Sequence, residues 1–356
     1  MHDLNEQERA ILARIDEDPF ISQQALAEAL GLGRSTVATY IAQLVRKGHL
    51  LGRAYVRAPQ PAVLVIGGAV LDRKYRLDGP LVPGSSNPVS SARTFGGVGR
   101  NVAEVLARLG IATELATVVG DDEAGRALLE ALKAAGVGLA RTVALPGART
   151  AEYVAVLTPD GHLVAGLADM DIFATLTPAD IARLAPALAR AGWVFAETNL
   201  PAETIAALLA RRREGRFRLA MDAVSVAKAA RLPAGLTGID VLFLNADEGV
   251  ALTGRADPAA AAAALLAAGA GTVVLTCGAA GAWICDAAGP RLLPAPPAKV
   301  VDVTGAGDTL VGVALAALAS GHGIDDAVGR GMAAAADTIG SAASIAPALS
   351  PALLAS

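Results

Sequence analysis

The distribution of hydrophobic and polar residues predicts an α/β fold over most of the chain. From residue 62 onward, short apolar runs alternate with segments whose apolar residues recur at helical spacing. The first run, 62–69, is continuously apolar and ends in two glycines, which is typical of a parallel strand covered on both faces. Further strands are predicted at 113–119, 193–197, 219–222, 241–245 and 272–276, and helices at 101–109, 124–135, 204–213, 258–268 and 310–319. This order predicts a doubly wound, mostly parallel sheet with helices on both faces.

Two segments interrupt the alternation of strands and helices. Residues 75–95 and 142–169 alternate apolar and polar side chains, as exposed antiparallel strands do. They predict a small β lid inserted into the α/β body. An exposed lid also leads us to expect a homodimer formed through it.

The first 58 residues have a different pattern, with helical spacing throughout. Ile11, Leu12 and Ile15 mark a first helix, Ser22 is a candidate N-cap of a second, and residues 35–44 form a third. Residues 50–56 read as two short strands, and the proline-containing segment 58–61 as a linker. The chain is therefore expected to have a small helical domain at 1–58 and a large domain at 62–349.

Three helices followed by a hairpin resemble a winged helix-turn-helix domain, which implies DNA as a partner. The third helix would enter the groove and basic residues nearby would contact phosphates. The exposed contacts of this helix would be Arg34, Ser35, Thr36, Thr39 and Tyr40, and the residues near phosphates would be Arg46, Lys47 and Arg53. The alternative is a helical interaction or dimerisation module.

Composition narrows the function classes. Hydrophobic residues make up 53% of the 356 residues and charged residues 18%, which supports a sizeable core and argues against disorder. A formal net charge of −4 gives no global attraction to nucleic acid or anionic membranes. The polar N-terminus is no signal peptide, glycines break the apolar run at 259–275, and two cysteines make no disulfide framework. We expect a soluble cytoplasmic protein without membrane partners.

The candidate chemistry is concentrated at a glycine-rich turn, residues 301–309, that precedes an Ala-rich helix. Glycines bring bare N–H groups close to a ligand, and the first N–H groups of a helix attract anions. A carboxylate at Asp308 would repel a phosphate, but it is suited to take a proton from a hydroxyl that attacks one. The alternative is an ordinary N-capped helix with a glycine-rich entry.

Three further motifs carry polar groups at strand ends. Asp72 follows the first strand, where open α/β sheets bind ligands, and Gly96, Gly97 and Asn101 form a glycine-rich turn before a helix. The other two motifs are 245–248, with Asn245 and Glu248, and 276–281, with Thr276 and Gly278. Each motif alone has a structural explanation in a helix start or a turn.

In this order, the four motifs resemble those of the PfkB/ribokinase-type sugar kinases. The family pattern at the last motif is Asp-Thr-x-Gly-Ala-Gly-Asp, and Val303 here replaces the Thr. The resemblance implies ATP-dependent phosphorylation of an alcohol, with Asp308 as general base. It also implies that the N–H groups of Gly305, Ala306 and Gly307 form an anion hole. An ordinary Asp pKa of about 3.9 would keep the base ionised at neutral pH.

The resemblance assigns the remaining site residues as well. Substrate hydroxyls would be bound by Asp72, Gly96, Gly97 and Asn101. ATP and Mg²⁺ would be bound by Asn245, Glu248, Thr276 and Gly278, with Glu248 acting on the metal through water. A K⁺ ion behind the anion hole would be bound by Asp302, Gly340 and Ser344.

Several local stretches resemble pseudouridine kinases in particular: 86–88, 168–171, 197–199 and 222–225 with Lys228. This resemblance implies transfer of phosphate from ATP to the 5′-hydroxyl of pseudouridine, with Asn87 and Asp169 at the uracil edge. Two alternatives stay open. The chain is a kinase for another nucleoside or sugar, or a transcriptional regulator that senses a nucleoside.

Overall fold

The computed structural model describes residues 4–50, 62–341, 344–345 and 348–355. The chain divides into two compact units, Met1–Gln60 and Pro61–Ser356. Residues 51–61, which include the predicted hairpin, the linker and Arg53, lie outside the described residues.

The N-terminal unit is a bundle of helices around one apolar core. Its helices are α1 (Glu6–Glu17), α2 (Gln23–Leu30) and α3 (Arg34–Arg46). Ile11, Ile15, Leu26 and Leu44 are fully buried between them. The Ser22 side chain accepts a hydrogen bond from the Ala25 N–H and so caps α2, as its position before the apolar run predicts.

A buried ion pair in this unit alters one sequence prediction. Glu8 is fully buried and accepts hydrogen bonds from the Lys47 ammonium at 2.8 and 2.9 Å. Burial raises the pKa of Glu8, but the bonds from Lys47 and from the Asn5 backbone outweigh it and hold the pKa below its usual value. Lys47 therefore neutralises a core carboxylate at the end of α3, and is less available for phosphate than the sequence suggests.

The large unit contains strands that belong to three sheets and helices that cover the largest of them. Its strands are β1 (Val63–Ile66), β2 (Val70–Leu77), β3 (Val89–Gly96), β4 (Thr113–Ala116), β5 (Val118–Gly120), β6 (Val143–Leu145), β7 (Glu152–Leu157), β8 (Leu163–Asp169), β9 (Trp193–Glu197), β10 (Arg218–Asp222), β11 (Val241–Asn245), β12 (Val273–Thr276), β13 (Ala282–Asp286) and β14 (Gly289–Leu293). Its helices are α4 (Val98–Arg108), α5 (Glu123–Ala134), α6 (Pro178–Arg183), α7 (Ala185–Leu188), α8 (Ala202–Glu214), α9 (Val226–Ala229), α10 (Ala246–Thr253), α11 (Pro258–Ala267), α12 (Ala306–Ala319) and α13 (Ile324–Ile339).

The predicted doubly wound sheet is confirmed. Eight strands follow the order β14-β13-β12-β11-β10-β9-β1-β4. The neighbours from β12 to β4 are parallel, and β13 runs antiparallel to both β12 and β14. The side chains of β1 alternate between two separate apolar cores, with Leu64 and Ile66 in one and Val63 and Val65 in the other. A strand buried on both faces requires such a continuous apolar run.

The lid is a separate four-stranded sheet with the order β3-β2-β7-β8. Its two central strands, β2 and β7, are parallel to each other, while the outer pairs are antiparallel. The second lid segment, 142–169, enters this sheet at Glu152, where β7 begins. Its first part contains β6, which pairs with β5 in a separate small sheet. Leu167 and Val89 expose 59% and 41% of their surfaces. Dimerisation through the lid stays a prediction.

Close packing of two helices brings distant parts of the chain together. Helix α12 packs on α4, and a side chain added at Gly312 would meet Val105 Cγ1 at 2.6 Å. The absence of a side chain at Gly312 thus permits this close approach. The N-terminal ends of both helices then lie on the same side of the sheet, at the carboxyl ends of its parallel strands.

The segment before α12 differs from its prediction. The sequence pattern predicts an extended strand from 292 to 301, but β14 ends at Leu293. Residues 294–300 contain three prolines, which donate no ladder hydrogen bonds, and they form irregular backbone instead. This segment lines a cavity beside α12 and α13.

Candidate active site

The candidate catalytic carboxylate and the candidate substrate amide are in direct contact. The Asn101 amide donates a hydrogen bond of 2.6 Å to Asp308 Oδ2, although 207 residues separate them. The side-chain oxygen of Asn101, Oδ1, accepts a hydrogen bond of 2.9 Å from the Arg100 guanidinium, which orients the amide. Asp308 lies in the first turn of α12 and Asn101 in the first turn of α4. The structure therefore brings these two sequence-predicted residues together.

The acidity of Asp308 differs from the expectation of an ordinary carboxyl group. Burial raises the pKa of Asp308, and the Asn101 hydrogen bond and the Arg100 charge offset this only in part. Desolvation disfavours the charged form of any carboxyl group, and the sequence alone gives no measure of it. A raised pKa makes Asp308 a stronger base once it is ionised, as general-base catalysis requires.

Asp72 faces the same site from the lid strand β2. The pKa of Asp72 is raised to about 6, chiefly by burial; the charges of Lys74 and Arg100 act to lower it, and the charge of Asp308 acts to raise it. A side chain at Gly96 would collide with Asp72 Oδ2 at 1.9 Å, so the absence of a Cβ there makes room for the carboxylate. Asp72 and Asp308 are thus two half-buried acids that influence each other across one site.

The glycine-rich turn before α12 has the shape of an anion-binding loop. Gly305 has a left-handed backbone with φ of 78°, and a side chain there would meet the Ser344 carbonyl oxygen at 1.9 Å. A side chain added at Gly307 would meet nothing within 4 Å, so the space beside the first turn is open. The Ala306 N–H makes one long bond of 3.3 Å, to the Val303 carbonyl. The first turn thus presents N–H groups toward open space at the positive end of the helix.

A cavity of about 120 Å³ joins Asp308 to the motif at 245–248. Asn245 and Glu248 form a capping box at the start of α10, with three mutual hydrogen bonds of 2.8 to 2.9 Å. Burial raises the pKa of Glu248. The helix-start explanation of this motif is therefore correct, and the same residues also line the cavity next to Asp308.

Asp222, at the end of β10, is a site residue for which sequence reasoning proposed no role. It lines the same cavity, and burial, together with the charges of Glu248 and Asp308, raises its pKa well above the usual value. The backbone beside it is strained, because Val224 has a φ of 60° at the centre of a tight turn closed by a 2.6 Å bond from the Ser225 N–H to the Ala223 carbonyl. Such strain is concentrated at functional sites. An acid at the carboxyl end of a parallel strand was the available signal.

A larger cavity of about 500 Å³ opens on the other side of the glycine-rich turn. Thr276 and Gly278 line it together with Gly307, and prolines and alanines of 295–298 form one wall. Thr276 and Gly307 also line the smaller cavity, so the two spaces meet at the first turn of α12. An apolar slot that ends at an anion-binding turn suits a flat ring with a phosphate chain.

The two residues predicted to contact the uracil ring lie away from Asn101 and Asp308. The Asn87 amide bonds within its own loop, accepting from the Val82 N–H and donating to the Val82 and Ser85 carbonyls. Asp72 pairs with Tyr153 of β7, whereas Asp169 pairs with the preceding residue, Glu152. Because successive side chains of a strand point to opposite faces, Asp169 lies on the opposite face of the lid from Asp72. The structure does not bring either side chain to Asn101 and Asp308.

A polar network connects other stretches that resemble pseudouridine kinases. Buried Glu197 accepts bonds from the N–H groups of Gly68 at 2.5 Å and Asn199 at 2.6 Å. The Lys228 ammonium donates to the Asn199 side chain at 2.5 Å and to the Met170 sulfur at 3.3 Å. The network supports the backbone turn after β1, which also accepts the Arg100 N–H through the Gly68 carbonyl.

The described residues contain no group of three or more His, Cys, Asp or Glu side chains arranged to hold a metal ion. Asp302, a predicted K⁺ ligand, instead forms an ion pair of 2.7 Å with Lys74. None of the helices in the described part of the chain is long and apolar enough to cross a membrane.

Comparison with known proteins identifies the family of the chain. The profile of the pfkB family carbohydrate kinases matches residues 60–351, and that of winged helix-turn-helix DNA-binding domains matches residues 4–48. An uncharacterized sugar kinase of Escherichia coli, YeiI, is 31% identical over 94% of this chain and 93% of its own length. The E. coli pseudouridine kinase is 32% identical over 70% of this chain and 81% of its own length.

Solved structures of carbohydrate kinases share the fold of this chain. A carbohydrate kinase from Agrobacterium tumefaciens superposes with a TM-score of 0.72 at 36% identity, over 82% of this chain and 95% of that one. An Arabidopsis thaliana ribokinase, solved with ribose and ATP, superposes with a TM-score of 0.71 at 22% identity, over 84% of this chain and all of that one, which shows the shared fold. The chain therefore belongs to the pfkB family of carbohydrate kinases, phosphotransferases with an alcohol acceptor, and its large domain follows an N-terminal winged helix-turn-helix domain.

Proposed function

We propose that the large domain transfers the γ-phosphate of ATP to the 5′-hydroxyl of pseudouridine, with Asp308 as the general base. The observation that carries the proposal is the 2.6 Å bond from Asn101 to Asp308 at the open first turn of α12. A carboxylate held at this point lies beside the N–H groups that would stabilise the charge of the transferred phosphate.

The residues divide the work as follows. Asp72 accepts hydrogen bonds from ribose hydroxyls under the lid, and the turn of Gly96 and Gly97 lets the sugar approach the backbone. Asn101 fixes the Asp308 carboxylate, which removes the proton of the 5′-hydroxyl as the oxygen attacks phosphorus. The N–H groups of 305–307 stabilise the negative charge on the transferred group, and the lid excludes water.

The cavity next to Asp308 fits Mg²⁺ bound with the phosphates of ATP. Glu248 and Asp222 line it, both have raised pKa values, and a cation there would favour their ionised forms. Both oxygens of Glu248 are bonded to Asn245, so Glu248 would act through water molecules of the metal. When bound, Mg²⁺ neutralises charge on the phosphates.

Two observations support pseudouridine as the acceptor. The E. coli pseudouridine kinase is a relative at 32% identity. Three of the stretches that resemble such kinases are joined in one network, through Met170, Asn199 and Lys228. Since Asn87 and Asp169 bond or face elsewhere, the proposal does not depend on them.

An acceptor panel tests the substrate. We expect pseudouridine to give the highest kcat/KM among pseudouridine, uridine, adenosine, ribose and fructose phosphates, because a site built for one set of polar groups rejects analogues that leave them unpaired. ADP release with Mg²⁺ and ATP is the measurement. A higher kcat/KM for another acceptor would replace pseudouridine but keep the kinase. Absence of turnover with any acceptor would favour the nucleoside-sensing regulator.

Replacement of the base tests the mechanism. Asp308→Asn should lower kcat by roughly 100-fold or more, because general-base catalysis contributes on that scale, while nucleotide and acceptor binding change little. Steady-state kinetics and calorimetric titration measure the two effects. Asp337→Asn, an exposed acid on α13, is the matched control. Turnover of Asp308→Asn close to that of the native enzyme would exclude Asp308 as the base.

The raised pKa values predict an acidic limb in the pH profile. Asp72 and Asp308 must both be ionised, so kcat/KM should be constant at neutral pH and fall as pH decreases through about 6, the pKa of Asp72. Rates in overlapping buffers give the profile. In Asp72→Asn, which lacks this titrating group, the remaining limb should belong to Asp308 alone. A native profile that stays flat through this range would contradict both assignments.

We also propose that the N-terminal domain binds duplex DNA through α3. Arg34, Ser35, Thr36 and Thr39 are exposed on this helix, whereas Tyr40 is half-buried against the core. Arg46→Ala, at an exposed residue predicted near phosphates, should weaken binding and reduce the slope of log affinity against log salt by about one, as expected for one lost phosphate contact. Fluorescence anisotropy with the full chain and selected duplexes measures this.

Arg14→Ala, on the distal helix α1, is the control and should bind as the native chain does. Native protein that shows no binding to any selected duplex at low salt would leave the interaction or dimerisation module as the function of this domain.

A further inference from the structure

The lid is tied to the catalytic loop by one ion pair. The Lys74 ammonium, on lid strand β2, lies 2.7 Å from Asp302 Oδ2 and 3.4 Å from Thr304 Oγ1. Lys74 follows Asp72 by two residues, so strand alternation places both side chains on the face that looks toward the site. A lysine of the lid thus reaches the loop that leads into the anion-binding turn.

The Asp302 carboxylate has both of its oxygens in use. Oδ2 accepts from Lys74, and Oδ1 accepts the Thr304 N–H at 2.9 Å. Burial raises the pKa of Asp302, but the Lys74 and Thr304 bonds outweigh it and hold the pKa below its usual value. The ion pair is only about 30% exposed, with 28% for Lys74 and 30% for Asp302, so water screens it partly.

These contacts do not fit the K⁺ ion that the family resemblance implies at Asp302, Gly340 and Ser344. K⁺ is held by oxygens that replace its hydration shell, and the Asp302 oxygens already bond an ammonium and an amide. An additional cation on this carboxylate would lie next to the Lys74 charge and be repelled by it. Of the other two predicted ligands, Ser344 has its carbonyl oxygen facing Gly305, and residues 342–343 and 346–347 beside it lie outside the described residues.

We propose that the Lys74 ammonium takes the place of the monovalent cation, so that phosphoryl transfer in this protein does not require K⁺. Lys74 is a positioning residue, because it acts through Asp302 on the loop that carries the anion hole. Since Lys74 belongs to the lid, closure over the substrate and delivery of the charge occur together. This inference rests on the proposed kinase activity for its kinetic readout.

The test compares salts at one ionic strength. The native enzyme should turn over at the same rate in potassium, sodium and choline chloride. Lys74→Ala should lose activity in choline chloride, on the order of tenfold or more because the loop loses its charge, and regain it in potassium or ammonium chloride. Lys133→Ala, an exposed lysine on α5, is the control and should respond as the native enzyme does.

Thermal unfolding supplies a readout that needs no acceptor. Potassium should raise the unfolding temperature of Lys74→Ala relative to choline, because the vacated site binds the ion, and should leave the native protein unchanged. Activation or stabilisation of the native protein by K⁺ would overturn the inference, as would loss of activity in Lys74→Ala without rescue by either cation. If no acceptor is phosphorylated, the kinase proposal fails, while the unfolding comparison still decides the role of Lys74.

Discussion

The site depends on one geometric constraint, which is that neighbouring parallel strands end at the same edge of the sheet. The strands β1, β9, β10 and β11 run side by side in one direction. Their carboxyl ends therefore lie at one edge. The turn before Asp72, the Glu197 network, Asp222 and Asn245 follow these ends and lie together. Helices α4 and α12 start at the same edge because they pack closely at Gly312. The contact between Asn101 and Asp308 follows from this packing.

Four acids with raised pKa values lie close together in the candidate site. Burial raises the pKa values of Asp72, Asp222, Glu248 and Asp308, and each of these acids is near at least one other. Buried carboxylates without counter-charges are costly, and a divalent cation with its nucleotide would relieve that cost. The glycine-rich turn and the acids are adjacent, since Gly307 lines the same cavity as Asp222, Glu248 and Asp308.

The lid contributes chemistry as well as cover. Its strand β2 places Asp72 beside the turn of Gly96 and Gly97 and Lys74 on Asp302. Both side chains lie on one face of the lid, because they are two residues apart in the strand. The N-terminal domain has an apolar core of its own.

Much of this protein followed from local sequence. The continuous apolar runs, such as Val241–Asn245, determined the strands, since a strand covered on both faces has no polar positions. The glycine-rich turns with their acids and amides determined the residue types of the site, because few other residues permit such close backbone approach.

The tertiary structure decided what depends on distance and burial. The pKa of Asp308 is raised by desolvation, which no local pattern measures. Asp222 became a site residue because three strand ends converge on it, and Asp169 turned away because strand alternation and pairing register set its face. Asp302 meets Lys74 across 228 positions of sequence, a contact that no local pattern predicts.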